Sequence, residues 1–278
     1  MTYGWILGNM DSMSAISVGL GIFVGMMMAL TGAGGGILSV PLLVFGLNLS
    51  IASAGPIGLL AIAVAGSLGA INGLRTKLLR YRAALVMATL GIVLAPVGVY
   101  LAQRIPNQPL LIAFASILIV VSIRMLIQAQ QEITGNVPKD RPAPPCKLDQ
   151  SIGRLIWSVP CARSLMGSGA VAGFLSGLLG VGGGFIIVPA LKKVTDLPMQ
   201  SIVATSLGVL ALISITGVTS AAIAGHLNWS IGIPFAGGGL AGMLLGSVIA
   251  KQISGPRIQQ AFAIFTFLIS LSLLYKAI

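Results

Sequence analysis

Two long stretches of this chain carry no charged side chain. Residues 12–74 and residues 197–250 contain no Asp, Glu, Lys or Arg. About 20 apolar residues let a helix cross a bilayer, so each stretch has room for more than one crossing. Over the whole chain 56% of residues are hydrophobic and 8% are charged, whereas soluble domains carry about 25% charged residues. We therefore expect an all-α integral membrane protein with several crossings.

A glycine-rich decapeptide occurs twice in the chain. Residues 32–41 read GAGGGILSVP, and residues 180–189, which lie 148 positions later, read GVGGGFIIVP. The same offset aligns further residues without a gap, such as Gly25 with Gly173. The chain therefore consists of two copies of one unit, each with a glycine run inside an apolar stretch. In a membrane protein this pattern indicates a binding site between two halves.

About eight apolar segments can be read, four in each half. They are residues 13–30 with 37–47, 52–74, 83–103 and 109–131, then 164–179 with 184–194, 199–225, 230–250 and 258–275. A proline-containing stretch of mixed charge separates the halves and is typical of a linker. We predict a first transmembrane repeat over 12–131, a cytoplasmic linker over 132–163, and a second transmembrane repeat over 164–278.

The first segment of each half cannot be one straight helix. As a helix, residues 12–47 would be about 54 Å long, against a hydrocarbon core of about 30 Å. Each glycine inside a helix also costs about 1 kcal/mol relative to alanine. The segment is therefore either a tilted, broken crossing or a re-entrant hairpin that turns at the glycines.

The basic residues decide between these two alternatives. The strongest basic cluster follows the second segment and is assigned to the cytoplasm by the positive-inside rule: Arg75, Lys77, Arg80 and Arg82. A re-entrant second hairpin places four more basic residues on that side, whereas a single crossing places them outside: Lys192, Lys193, Lys251 and Arg257. The re-entrant arrangement is favoured. Each half then makes three full crossings, so the repeats are inverted and both termini lie outside.

The apolar segments contain almost no ionisable group. The five acidic residues all lie outside them: Asp11, Glu132, Asp140, Asp149 and Asp196. A proton-driven carrier would usually hold a carboxylate there, and a cation would require acidic or carbonyl-rich lining. Because a helix that restarts after a glycine break presents free N–H groups, a small anion suits this interior best. We expect no enzyme activity, no metal site and no cofactor. The net charge of +11 reflects topology and not nucleic-acid binding.

The candidate substrate-binding residues gather around the glycine runs. The first group is Thr31, Gly32, Ala33, Gly34, Gly35 and Gly36, with Asn72 further along the same half. The second group is Gly180, Val181, Gly182, Gly183 and Gly184, with the hydroxyl pair Thr205 and Ser206 in the following segment. The alternatives are close helix packing for the glycines and hydrogen bonds within the helix for the hydroxyls.

Four further residues are considered for function. Arg124 is the one cation clearly within an apolar segment, where it is either functional or reaches the surface by snorkelling. His226 lies at a helix end and is expected at the interface, although it could take up a proton near neutral pH. Cys146 and Cys161 fit neither a disulfide framework nor a zinc site, and we expect incidental thiols.

Three motifs resemble the TauE/SafE family of sulfite exporters. They are the duplicated Gly-x-Gly-Gly-Gly-(x4)-Pro pattern, the Ala-Thr-Ser-Leu of residues 204–207, and the Gly-His-Leu-Asn-Trp of residues 225–229. The resemblance covers about residues 20–275. The glycine-rich segments of the family carry over onto residues 32–36 and 180–184, and its Thr-Ser pair onto Thr205 and Ser206. The first half departs from the pattern, with Ile57 and Gly58 at the equivalent positions.

The resemblance implies a plasma-membrane transporter of small sulfur-containing anions, such as sulfite, thiosulfate, sulfoacetate or related organosulfonates. We expect a multi-pass protein of the bacterial inner membrane whose partners are the lipid bilayer and a small anion, and we also consider a homodimer. Two alternatives stay open. One is an anion channel, and the other is a membrane assembly factor that transports nothing.

Overall fold

The computed structural model describes residues 2–32, 35–134, 146, 148–149, 154–155, 158–249 and 255–277. Ten α-helices lie within these residues: α1 (Thr2–Thr31), α2 (Gly35–Gly46), α3 (Ile51–Arg75), α4 (Tyr81–Arg104), α5 (Asn107–Thr134), α6 (Val159–Leu179), α7 (Gly184–Val194), α8 (Met199–Ile223), α9 (Trp229–Ile249) and α10 (Gly255–Ala277). Two short strands, β1 (Leu148–Asp149) and β2 (Arg154–Leu155), pair antiparallel between α5 and α6. Seven helices of the described part are long and apolar enough to cross a membrane, namely α1, α3, α4, α5, α8, α9 and α10. The predicted all-α membrane fold is confirmed.

The first glycine run turns the chain back on itself. A side chain at Gly35, the first residue of α2, would run into the backbone of Met28 near the end of α1. At the other end of α2, a side chain at Gly46 would meet Leu20, which lies 11 residues before the end of α1. Because α2 retraces α1 over this length, the two helices are antiparallel. The predicted re-entrant hairpin is therefore present in the first half.

The second glycine run forms the equivalent hairpin. A side chain at Gly183 would run into the carbonyl oxygen of Ala172 on α6. The far ends of the two helices are also together: Cys146 is disulfide-bonded to Cys161 in the first turn of α6, and its N–H donates to the carbonyl of Val194 at the end of α7 (3.0 Å). Helix α7 therefore returns along α6.

Helices α3 and α8 are equivalent by the 148-residue offset, and they pack antiparallel. Gly73 near the end of α3 lies against Ala204 near the start of α8, whereas Gly217 near the end of α8 lies against Leu59 near the start of α3. Equivalent helices that run in opposite directions require the two repeats to be inverted. The inversion predicted from the charges is thus confirmed by the packing.

The two repeats also interlock. Helix α1 of the first repeat runs along α9 of the second, with Gly25 against the backbone of Gly239. Helix α6 of the second repeat runs along α4 of the first, with Gly173 against the backbone of Gly91. Small residues allow helix backbones to approach this closely inside a membrane. Each hairpin is therefore held mainly by the opposite repeat.

Hydrogen bonds identify two faces of the bundle. At one face the N–H of Arg80, in the loop between α3 and α4, donates to Thr205 Oγ1 near the start of α8 (3.0 Å). This face, which we call the linker face, also holds the end of α7 and the residue Cys146. At the opposite face Lys276 Nζ donates to the carbonyl of Val44 (3.3 Å), and the N–H of Ile51 donates to Asn107 Oδ1 (3.0 Å). We call this the terminal face.

Two sequence-based expectations differ from the structure at the linker. Helices extend into both ends of the predicted linker, because α5 continues to Thr134 and α6 begins at Val159. The N-cap residue Ser158 fixes this start, since its hydroxyl accepts from the N–H of Cys161 (3.2 Å). The expectation of incidental thiols at Cys146 and Cys161 is wrong: the two form a disulfide. A spacing of 15 residues carried no signal for this bond, which depends on the return of α7 to the start of α6.

Candidate functional site

The candidate site lies where the two glycine breaks meet. A Cβ atom on Gly36 would come within 2.7 Å of the carbonyl oxygen of Val181, so the start of α2 touches the second break directly. The side chain of Ile62 lies against both breaks, with its Cδ1 3.0 Å from the Cβ positions of Gly36 and Gly182. Ile62 is close to the middle of α3. The two breaks therefore adjoin halfway along the central helices.

The second break needs glycine for its backbone conformation. Gly182 and Gly183 both have positive φ angles, of 74° and 67°. Gly183 is the N-cap of α7 and has no side chain that could occupy the first N–H groups of the helix. Its carbonyl accepts from the N–H groups of Ile186 (3.0 Å) and Ile187 (3.3 Å). The amides that precede them belong to the first turn, at the positive end of the helix dipole, which favours an anion.

The first break is described in part. Gly32 follows the end of α1 with a φ of 80°, and its N–H donates to the carbonyl of Met28 (2.8 Å). A side chain at Gly32 would collide with Val203 of α8. The predicted site residues Ala33 and Gly34 lie outside the described residues. What is described shows that the first break also packs against the opposite repeat.

Among the residues that the structure describes, the polar side chains buried near the breaks are all hydroxyls. Ser39 of α2 is fully buried, and its hydroxyl donates to the carbonyl of Gly36 (2.6 Å). A Cβ on Gly58 would lie 2.7 Å from both Ser39 Oγ and the carbonyl oxygen of Gly180. The Ser39 hydroxyl and the second break are thus neighbours across α3. Sequence reasoning did not select Ser39.

Two further serines near the breaks have buried hydroxyls with no hydrogen-bond partner among the described residues. They are Ser176, one turn before Gly180 on α6, and Ser214, one turn beyond Leu210 on α8. Leu210 itself packs against Gly182. Serine in a helix normally donates to a carbonyl of the preceding turn, and a buried hydroxyl without a partner costs about 1–3 kcal/mol. Two hydroxyls beside the second break thus lack a hydrogen-bond partner in the described part of the chain, and no sequence pattern singled them out.

The predicted hydroxyl pair is close to the first break, but both hydroxyls already form hydrogen bonds within the protein. Thr205 Oγ1 accepts from the N–H of Arg80, and the hydroxyl of Ser206 donates to the carbonyl of Val203 (2.9 Å). Both residues are buried. The hydroxyl of Thr31 likewise donates within its own helix, to Met27 (2.7 Å). Ser206 and Thr31 therefore form the hydrogen bonds within their own helices that were considered as the alternative, whereas Thr205 bonds across to the opposite repeat.

The remaining candidates have exposed side chains. Asn72 is exposed and lies 10 residues beyond Ile62 on α3, next to Gly73, which packs against Ala204 at the linker face. Arg124 is exposed on α5, near the linker-face end of that helix, which suits snorkelling. His226 is exposed in the loop between α8 and α9, as expected for an interfacial position.

The interior is electrically neutral wherever it is described. Every buried polar side chain in those residues is a serine or a threonine, with no charged group among them. No cluster of His, Cys, Asp and Glu in the described part could hold a metal ion. The breaks therefore offer backbone dipoles and hydroxyls to a ligand, and no formal charge.

A cleft reaches towards the second break from the terminal face. It is small, with a volume of about 10 Å³, room for about one water molecule. It lies between the start of α3, the end of α4 and the end of α6, and its lining includes Gly55, Gln103 and Gly177. Gln103 Nε2 donates to the carbonyl of Ala52 at its rim (3.1 Å). A Cβ on Gly55 would contact Gly180 at 3.4 Å. The cleft thus ends beside the second glycine break.

Membrane-spanning helices in two inverted repeats, with paired helix breaks that meet in the interior, are the architecture of a membrane transporter. Comparison with known proteins agrees with this class. The chain belongs to the sulfite exporter TauE/SafE family, which it matches over residues 17–273.

Two relatives match the chain over nearly their whole lengths. The probable membrane transporter protein YunE of Bacillus subtilis is 29% identical, over 95% of this chain and 98% of that protein. A probable membrane transporter protein of Xylella fastidiosa is 28% identical, over 94% of this chain and 95% of that protein. A probable membrane transporter protein of Haemophilus influenzae is 49% identical over 57 residues, which are 19% of this chain and 22% of that protein. The protein is therefore a multi-pass membrane transporter.

Proposed function

We propose that this protein is a secondary transporter of a small sulfur-containing anion, such as sulfite, thiosulfate, sulfoacetate or another organosulfonate. The observation that carries the proposal is the meeting of the two breaks, where the N-terminal end of α7 faces an interior without charged side chains. An oxyanion accepts several hydrogen bonds and carries the negative charge that a helix N-terminus favours. The family name supports the sulfur chemistry of the substrate.

The anion is proposed to bind beside Gly182, Gly183 and Gly184, whose N–H groups donate to its oxygens. Ser176 and Ser214 supply hydroxyl donors from the two helices that flank this break. The first break closes the site from the opposite side through Gly36. With no charged side chain among the buried residues that the structure describes, affinity rests on hydrogen bonds and dipoles, which favours anions with several accessible oxygens over halides.

Access is proposed to alternate between the two faces, because inverted repeats can exchange their conformations around a fixed site. The small cleft beside Gly55 and Gln103 marks where a route from the terminal face to the second break would open. We place the linker face in the cytoplasm of a bacterial inner membrane, since its loops hold most of the basic residues. The direction of net transport then follows the gradients of the substrate and of any coupling ion.

The test is counterflow into proteoliposomes that contain the purified protein. Vesicles preloaded with unlabelled thiosulfate should accumulate ³⁵S-thiosulfate, and external sulfite, sulfoacetate, taurine, sulfate and formate are compared as competitors. Competition by sulfite or sulfoacetate at lower concentrations than formate is expected. Stronger competition by formate would contradict the sulfur-anion assignment. Fast flux that does not saturate would indicate a channel, and no flux of any anion would favour an assembly factor.

A further inference from the structure

The disulfide between Cys146 and Cys161 closes the base of the second hairpin. Cys161 lies in the first turn of α6, and Cys146 pairs with the residues that end α7 through its N–H bond to the carbonyl of Val194 and a parallel bridge to Thr195. The disulfide and this hydrogen bond together tie the start of α6 to the end of α7. Both cysteines are fully buried.

The first hairpin is held at its base by a non-covalent contact. Lys276, near the end of α10, donates to the carbonyl of Val44 near the end of α2, and its ammonium lies 5.4 Å from the ring centre of Phe45. Each hairpin therefore has a clamp at the carbonyl end of its short helix. The clamp at the terminal face is an exposed ammonium, whereas the clamp at the linker face includes a covalent bond.

The face that carries the covalent clamp is also the basic face. Its described loops and helix ends include Arg75, Lys77, Arg80, Arg82, Arg163, Lys192 and Lys193. The positive-inside rule assigns such a face to the cytoplasm. Cytosolic thiols are kept reduced, and the disulfides that do form there are usually transient, catalytic or redox-sensing. A permanent structural disulfide does not suit this face.

We propose that Cys146 and Cys161 form a reversible thiol–disulfide switch that controls opening of the second hairpin at the linker face. The effect on transport rests on the proposed function and on the cytoplasmic assignment of that face. In the disulfide form, the end of α7 is tied to the start of α6, and access from the linker face is slowed. In the dithiol form, the hydrogen bond of Cys146 to Val194 remains and the covalent link is lost.

The chemistry is thiol–disulfide exchange with a dithiol reductant of the cytosol. A thiolate of the reductant attacks one Sγ atom, the Sγ–Sγ bond breaks, and the released cysteine thiolate takes up a proton. The second thiol of the reductant then displaces the remaining cysteine, so the transporter leaves as a dithiol and the reductant as its own disulfide. Oxidation is the reverse exchange with a disulfide of the same class. Because both cysteines are buried, exchange requires the linker residue Cys146 to lift from the hairpin.

The first test measures the thiols in cells and needs no substrate. Cells are treated with diamide or with dithiothreitol, quenched in acid, denatured and labelled with a maleimide-linked polyethylene glycol that shifts the protein on a gel. We expect no label after diamide and two labels after dithiothreitol. The same labelling after both treatments, whether none or two, would overturn the switch. This result is independent of whether the protein carries a sulfur anion.

The second test links the redox state to motion and transport. Reduction should speed hydrogen exchange at the amides of α7 and raise thiosulfate counterflow roughly fivefold, the lower end of the range for coupled sites. Cys161→Ser and Cys146→Ser should show the hydrogen exchange and counterflow rates of the reduced wild type. Adding the reductant should not change either rate. Ser158→Ala removes the cap of α6 but keeps both cysteines, so it should still respond. If α7 exchanges equally in both redox states, the proposal fails even where transport is normal.

Discussion

Replacing Gly36 with alanine tests the contact between the two glycine breaks. The new methyl group would lie 2.7 Å from the carbonyl oxygen of Val181 and 3.0 Å from Cδ1 of Ile62. Ordinary carbon–oxygen contacts are about 3.3–3.6 Å, so the breaks must separate by roughly 0.6 Å or more. Ile62 cannot easily move aside, because it is fully buried and also packs against Gly182. The strain therefore falls on the second break.

For Gly36→Ala, the expected loss of binding free energy is larger than the expected loss of folding stability. Overpacking costs about 1–3 kcal/mol, and alanine recovers up to about 1 kcal/mol through its higher helix propensity. A displacement of roughly 0.6 Å stretches a hydrogen bond of 2.9 Å beyond its useful range. Loss of one hydrogen bond to a charged ligand costs about 1.5–3 kcal/mol, which corresponds to a roughly 10- to 150-fold weaker affinity.

The assay is thiosulfate counterflow at several substrate concentrations, together with the melting temperature in detergent. Gly237→Ala is the matched control, because the space around Gly237 on α9 is open and no atom would touch the new methyl group. We expect the control to transport normally and to be stabilised by about 0.5–1 kcal/mol. Wild-type transport by Gly36→Ala, or an equal loss in both variants, would refute the reasoning.

Three further predictions concern the hydroxyls, the first clamp and the exposed ionisable groups. Ser176→Ala should weaken substrate affinity roughly 10- to 150-fold, the value for one hydrogen bond to a charged ligand, while the protein becomes no less stable, because its hydroxyl has no partner among the described residues. Ser168→Ala, two turns earlier on α6 with its hydroxyl bonded to Ser164, should leave affinity unchanged. Lys276→Met should lower the free energy of unfolding by about 0.3–1 kcal/mol, more in low salt than in high salt, because it removes a cation from the end of α2; a loss independent of salt in denaturant titrations would argue against this origin. His226→Gln and Arg124→Gln should leave counterflow near the wild-type rate, since both residues are exposed and distant from the breaks, and a severe loss in either would require a different substrate path.

The hairpins and the inversion could be predicted because they depend on properties that a sequence carries directly. A glycine run inside an apolar segment too long to cross once fixes where the chain turns, and loop charges fix which way it returns. The 12 residues of α2 and the 11 of α7 are close to the length read from the sequence. The contact of Ile62 with both breaks could not be predicted in this way, because it depends on α3 passing beside both of them.

The interlocked packing was beyond the reach of sequence reasoning. Glycines such as Gly25 and Gly173 indicate in the sequence that another helix backbone packs closely at these positions. They do not indicate that this neighbouring helix belongs to the opposite repeat. The disulfide and the unpartnered serines were missed for a similar reason. Each depends on neighbours distant in sequence: Cys146 meets Cys161 only because α7 returns to the start of α6, and Ser176 stands out only because its hydroxyl fails to bond locally.

The distribution of hydroxyls between the halves bears on how many anions the proposed site can hold. If the two repeats were exactly equivalent, they would form two identical anion-binding sites, one at each break. The breaks touch through Gly36 and Val181, so two anions would be close neighbours, and at about 6 Å they would repel by roughly 3 kcal/mol at an effective dielectric constant of about 20. None of the side chains that are buried as a whole in the described interior is a cation that could offset this. Ser176 and Ser214 have Met28 and Gly66 as their counterparts in the first half, so the free hydroxyls flank one break only. That asymmetry favours a single anion held at the second break, and it lets inverted repeats alternate around one substrate at a time.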